Sequence, residues 1–276
     1  MNLKFSSDID RLFFINFSGY CAHISQFPDS FLYYMSKNNK ISIENDFFCL
    51  KNFDISKLSS TPMSKFNYLI SIYNRSKRIL QKIPGVCAFS LCNSLALNTY
   101  HSKSDVDIFI ILDKDSFFTT RLLIILIFNL TGLRPKVCLS FFISNQSLSL
   151  NDIRLKDDIY LANWLNTLHF NTSSEKLIKA FNKLNSCSAK YNKSFTFKKS
   201  FLFLETVFKK FQINRANIKQ SKLKPSYGVV ISDEMLKFHH NDIRRKFNPL
   251  YLLQYDEFLL GNHVKTYQQS LQEELI

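Results

Sequence analysis

Residues 86–112, VCAFSLCNSLALNTYHSKSDVDIFIIL, constrain the fold of this chain more than any other stretch. Two apolar runs, 86–91 and 106–112, are joined by a polar loop that ends in Ser104-Asp105-Val106-Asp107. Side chains alternate along a strand, so Asp105 and Asp107 project from one face while Val106, Ile108 and Ile110 enter a core. Two carboxylates on one sheet edge repel each other unless a cation neutralises them. Hard divalent ions such as Mg2+ take one or two carboxylates together with phosphate oxygens. The spacing therefore predicts a metal-nucleotide site.

A chain of 276 residues with 46% hydrophobic content can bury one large core or two small ones. Only 5 glycines are present, which excludes a phosphate cradle built from a glycine cluster. Six cysteines (21, 49, 87, 92, 138 and 187) form no Cys-x-x-Cys pair and have no histidine at zinc spacing, so they read as buried thiols in a reducing compartment. Asp8, Asp10 and Arg11 interrupt any secretory leader, and the longest apolar run, 122–128, is too short to span a membrane. These features place the chain in the cytoplasm without membrane contact. The net charge of +14 is concentrated in residues 171–250, where 17 Lys and Arg face 5 Asp and Glu. Such a segment suits a polyanion, either nucleotide phosphates or nucleic acid; a solvated basic face is the alternative.

Residues 1–60 read as a unit with helices at 10–19 and 27–35, the second capped by Asp29 or Ser30, and a hairpin at 40–50 turning about Asn45-Asp46. That order is winged-helix-like, although no arginine-rich recognition helix is present. Pro62 precedes a long helix over 64–82, and Pro84-Gly85 ends it. Residues 116–130 are apolar almost all round and predict a helix buried against the sheet, closed by Gly132. Residues 137–144 predict a strand with Cys138, Ser140 and Phe142 on the face opposite the core. Beyond 151 the pattern is mainly helical: 159–168 with Asp158 as a candidate N-cap, 173–220, and 233–238 capped by Ser232. Trp164, Phe170, Phe181 and Phe211 read as core. The run His239-His240-Asn241-Asp242 lacks the ligand set for zinc, and Lys237, Arg244 or Arg245 are candidate phosphate clamps.

The pattern Asn93-Ser94, a ten-residue loop, then Asp105-x-Asp107 between two strands resembles the signature of the nucleotidyltransferase superfamily, the polymerase-beta-like fold. Asn93 stands where that family usually has glycine, and asparagine is the residue that best tolerates the same left-handed turn. Further segments resemble a group of uncharacterised bacterial nucleotidyltransferase-domain proteins. They are Leu133-Arg134-Pro135-Lys136, Cys138-Leu139-Ser140-Phe141, Asp158-Ile159-Tyr160-Leu161 with Trp164, and Met235-Leu236-Lys237-Phe238-His239 with Asn241-Asp242.

The resemblance implies an α+β fold: a small mixed sheet with packed helices at 61–150, flanked by the winged-helix-like unit 1–60 and a helical basic region 151–276. It implies Mg2+-dependent transfer of a nucleoside monophosphate from a nucleoside triphosphate to an acceptor that is a small molecule, a protein or RNA. Asp105 and Asp107 would be catalytic and metal-binding, with one or two ions, and Asn93, Ser94, Ser104, Arg134 and Lys136 would bind nucleotide. The family commonly carries a third carboxylate on the strand at 137–144, as base for the attacking hydroxyl. This chain has none there, leaving Asp158, Lys237 and Asp242 as auxiliary candidates. Two other readings stand beside this one: a catalytically degenerate relative that binds nucleotide, nucleic acid or protein without turnover, and a DNA-binding regulator acting through residues 1–60.

Overall fold

The computed structural model describes residues 8–172, 174–186, 202–221, 228–238 and 242–273. The chain opens with α1 (Asp8–Phe17), β1 (Ala22–His23), α2 (Asp29–Lys37) and the hairpin β2 (Ile41–Glu44) and β3 (Phe47–Leu50). Asn45 takes φ 55° at the hairpin turn, a conformation asparagine adopts at little steric cost. The strands form a small antiparallel sheet in the order β1-β3-β2. Pro28 holds the N-cap position of α2 and no side chain caps it, so Asp29 and Ser30 do not serve as expected.

α3 (Met63–Leu80) leads to a turn at Gly85, where φ is 86° and an added Cβ would lie 2.2 Å from Thr120 Oγ1. Only glycine meets both conditions. There follow β4 (Val86–Cys92), the short α4 (Asn93–Ala96), β5 (Val106–Leu112), α5 (Phe117–Leu130) and β6 (Val137–Ser144). The remaining elements are α6 (Ile159–Asn166), β7 (Asn171–Thr172), α7 (Glu175–Asn185), α8 (Leu202–Ser221), β8 (Val229–Ile231), β9 (Met235–Phe238), α9 (Arg244–Leu259) and α10 (Tyr267–Glu273). The fold is α+β. Its main sheet runs β7-β4-β5-β6-β9-β8, and β5–β6 is its one parallel pair among the described strands. A parallel pair needs a crossover, which α5 supplies.

The two faces of this sheet carry separate cores. Ile108, Ile110, Leu112, Phe142 and Leu236 pack with α3 and α5, while Phe109, Ile111, Phe141, Ile143 and Met235 pack with α6 and α7. A third core joins α1, α2 and the small sheet to Phe247, Leu250 and Tyr251 of α9. Phe13 and Phe17 stand edge-on to Tyr251 at 5.2 and 5.4 Å between ring centroids. The cores therefore do not follow the division 1–60, 61–150 and 151–276, because the first segment is buried against the last.

Several expectations are corrected. β6 carries a bulge: Asp107 pairs with Cys138, but Phe109 pairs with Phe141. The extra residue reverses the alternation, so Phe142 is fully buried in the α5-side core, and Phe141 takes the face shared with Cys138. The side chain of Ser140 lies outside the described residues. α5 is buried on one side only, through Phe117, Phe118, Ile124 and Phe128, because a sheet covers a single face of a helix; Leu130 is 86% exposed. Residues 235–238 are strand β9, not helix. Met235 and Lys237 face one side and Leu236 the other, and Ser232 Oγ accepts from Met235 N at 3.0 Å to close a turn between strands. Phe211 is exposed on α8, while Trp164 and Phe181 are core. Cys187, His239, His240 and Asn241 lie outside the described residues. None of the five described cysteines is in a disulfide, and among the described residues no helix is long and apolar enough to cross a membrane.

Candidate functional site

The β4–β5 register sets Cys92 opposite Asp107, and the β5–β6 register sets Cys138 on its other side. Chain reversal directly after Cys92 therefore delivers Asn93 to Asp107. Asn93 takes φ 55°, the left-handed conformation that the turn demands. Its side chain does more than tolerate that backbone. Trp164 Nε1 donates to Asn93 Oδ1 at 2.9 Å, which leaves the Asn93 amide to donate to the Asp107 carboxylate. A glycine here would supply the turn and lose this link between α6 and β5.

Asp107 is half-buried and Asp105, just before β5, is exposed. Burial pushes the Asp107 carboxyl up to about 7 and the Asp105 charge adds to the rise, with hydrogen bonds from Cys138 and Asn93 opposing it. This carboxylate is thus costly to ionise in the absence of a cation. The neighbouring Cys92 thiol is pushed well up by burial and by Asp107, so it remains a neutral wall of the site.

On the same sheet face a cavity of about 200 Å3 is lined by Asn93, Ser94, Tyr160, Trp164, Lys237 and Asp242. Ser94 makes no side-chain hydrogen bond within the described residues and is available to a ligand. The far wall is an ion network. Arg244 donates through Nε and Nη2 to the two oxygens of Asp242 at 2.8 and 2.7 Å, and through Nη1 to Asp158 Oδ2 at 2.7 Å and Ile153 O at 3.0 Å. Lys237 Nζ donates to Gly228 O at 3.2 Å and Asp242 Oδ2 at 3.3 Å. Burial lowers the Lys237 ammonium from its ordinary value, with Asp242 opposing. Against the cost of its own burial, hydrogen bonds from Arg244 and the charges of Arg244 and Lys237 hold Asp242 far below the usual carboxylate range. Tyr160 is pushed up by burial first, then by the charges of Asp107 and Asp242.

The structure thus gathers Asn93, Ser94, Lys237 and Asp242 around one cavity, with Asp107 joined to it through Asn93. Other candidates are placed elsewhere. Asp158 is the N-cap of α6, accepting from Leu161 N at 3.1 Å, from Leu155 N at 3.1 Å, and from Arg244 and Asn248 at 2.7 and 3.0 Å. Both oxygens of Asp158 are thus taken by donors, and Asp242, held ionised by its cations, is a poor proton acceptor. Arg244 also borders the cavity, but four of its five donors go to Asp242, Asp158 and Ile153 O, which leaves it one for a phosphate. Lys237 retains one of three donors. Ser104 accepts from His101 N at 3.0 Å and shapes the loop before β5. Arg134 lines a different cavity, and Lys136 lies 5.9 Å from the Tyr68 ring centre; neither borders the Asn93 cavity.

No local signal marks Tyr160 as a neighbour of Asp107 or joins Asp158 to Arg244. The residues of that pair are 86 positions apart, and only the local Asp242-x-Arg244 spacing carries any signal. Among the described residues no group of three or more His, Cys, Asp or Glu is placed to hold a metal, and of the acidic residues only Asp242 lines the cavity together with Ser94. The chain matches no family model, no curated protein and no solved structure.

Proposed function

We propose that this chain is a nucleotidyltransferase of the polymerase-beta-like superfamily, moving a nucleoside monophosphate from a nucleoside triphosphate to an acceptor and releasing pyrophosphate. One observation carries the reading: the β4–β5 register brings the Asn93-Ser94 turn against Asp107, a carboxylate whose ionisation is opposed by burial and by Asp105. The order α3, β4, turn, β5, followed by the parallel β6, supports it, since that order resembles the superfamily's core.

The donor set suits Mg2+. Two hard carboxylates are what such an ion takes from protein when phosphate and water complete its shell, and their mutual repulsion falls away only with a cation between them. Held by Asp105 and Asp107, Mg2+ would offset the charge on the triphosphate and on the attacking and leaving oxygens. Ser94 and the remaining Lys237 donor would hold outer phosphate oxygens. Asn93, braced by Trp164, fixes the Asp107 side chain so that no reorganisation is needed during reaction. In the transfer, an acceptor oxygen would bond to the α-phosphorus in line, a hydroxyl acceptor giving its proton to solvent water, as the bond to the bridging oxygen of the leaving pyrophosphate breaks.

A second reading, nucleotide binding without turnover, is favoured by one specific observation. Phe141 occupies the face of β6 where a third carboxylate would stand, and Asp158 and Asp242 are engaged by Arg244. Calorimetric titration with ATP, GTP, CTP and UTP, with and without Mg2+, tests the site, and pyrophosphate release with candidate acceptors separates the two readings. The expected result is micromolar, Mg2+-dependent binding abolished in Asp105→Asn/Asp107→Asn. Absence of binding by the folded wild type would refute both.

A further inference from the structure

A second cavity, of about 550 Å3, opens on the opposite, α5-covered face of the sheet, lined by Arg121 and Asn129 of α5, Phe211 and Arg215 of α8, Arg134, and Phe238 of β9. Its volume is in the range of small-molecule sites. Three guanidinium groups meet there without a balancing charge: among the described residues, none of Arg121, Arg134 and Arg215 forms an ion pair with Asp or Glu. Glu205, on the same helix as Arg215, is committed to the amides of Phe118 and Thr119 at 2.7 and 2.8 Å.

Arg121 is the most constrained of the three. Its guanidinium lies over the rings of Phe142 and Phe238, at 5.2 and 5.4 Å from their centres. Nη1 donates to Gln212 Oε1 at 2.5 Å, and the buried Nε has no acceptor among the described residues. Burial, with the like charges of Arg134 and Arg215, lowers this group to about 10. Arg134 uses Nη1 on Val137 O at 3.2 Å, and Arg215 is exposed. An arrangement that concentrates positive charge against a partly desolvated wall costs stability unless an anion enters it. The planar forks of arginine match phosphate oxygens two at a time, and a phosphomonoester dianion balances three such groups better than a single carboxylate does. Phe211, 55% exposed, and the half-buried Phe238 add a ring-lined wall.

We infer that this cavity binds a phosphorylated ligand of mononucleotide size, its phosphate held among Arg121, Arg134 and Arg215 and its aromatic part against Phe211 and Phe238. Such a site is independent of the Asp105–Asp107 pair and requires no metal.

Calorimetric titration of the full chain in EDTA, with AMP and with adenosine, tests this. AMP is expected to bind and adenosine to bind at least tenfold more weakly. Arg134→Glu and Arg215→Glu, at exposed positions that a fold tolerates, are each expected to weaken AMP at least tenfold. Asp105→Asn/Asp107→Asn is expected to leave AMP binding in EDTA unchanged. Far-UV circular dichroism verifies the fold of each variant. The inference is overturned if folded wild type does not bind AMP, if adenosine binds equally well, or if both arginine variants retain wild-type affinity. Loss of AMP binding in the aspartate variant alone would likewise overturn it, by placing the ligand at the Asp pair. Mg2+-dependent triphosphate binding is measured separately, so failure here leaves the proposed function untouched.

Discussion

Replacing Asp107 by asparagine should stabilise the metal-free protein while removing its Mg2+ response. A rise of the Asp107 carboxyl from its ordinary 3.8 to about 7 opposes ionisation by about 4 kcal/mol at most. The sign follows from proton linkage. The folded state holds this proton more tightly than the unfolded chain, so the penalty is absent below pH 4 or so, grows through the interval to about 7, and is complete above it. An uncharged amide of the same shape avoids it. Between pH 5 and pH 8 the stability advantage of Asp107→Asn over wild type should therefore widen by about 2 to 3 kcal/mol. At about 2 °C per kcal/mol for a chain of this size, that is a widening of roughly 5 °C in Tm. Thermal scans of both proteins in EDTA across this pH range measure it directly. Excess Mg2+ at pH 8 should then raise the Tm of wild type and leave the variant unmoved. A gap between the proteins that is constant from pH 5 to pH 8, or equal stabilisation of both by Mg2+, would refute the claim that Asp107 is a strained carboxylate awaiting a cation.

Two further outcomes follow from the same geometry. Arg244→Met should destabilise the fold by about 3 to 5 kcal/mol in urea denaturation, because it strands two buried carboxylates, Asp158 and Asp242. A loss below about 1 kcal/mol would show the network to be dispensable. Trp164→Phe keeps ring packing on Phe109 and Phe141 but removes the donor to Asn93, and should cost about 1 to 3 kcal/mol and weaken Mg2+-dependent nucleotide binding. Unchanged binding with the expected loss of stability would separate Asn93 from the site.

Local pattern was enough to locate β4, β5 and β6. Their apolar runs at 86–91, 106–112 and 137–144 coincide with the strands to within a residue, since a strand buried on both faces needs an unbroken apolar segment. Period-two alternation predicted Asp105 and Asp107 on one face; in the structure Asp105 precedes β5 and its charge acts on Asp107, while the Asn93-Ser94 turn was indicated by the family resemblance. The α+β class was implied by the family resemblance that these segments carry, and the mixed sheet with its packed helices agrees with it. The N-cap at Asp158 was legible too, because a cap is settled within three residues, here by Leu161 N.

What the chain could not display locally is which distant groups would meet. The β6 bulge depends on how Cys138 and Phe141 register against β5, and it alone turns Phe142 into the core and Phe141 toward the site. β9 is a strand because β6 offers it an open edge; a four-residue segment with a serine before it suits a helix start equally well by pattern. Asp158 is an N-cap by local pattern, but its ion pair with Arg244, 86 residues away, forms only because α9 packs against α6. Arg121 and Gln212, 91 residues apart, meet only because α8 packs along α5. Sequence determined the strands, the turn and the paired carboxylates, whose causes are near neighbours along the backbone. Tertiary structure decided which charges are neutralised and which are left facing a cavity, because that depends on strand order and helix packing that no short window of residues contains.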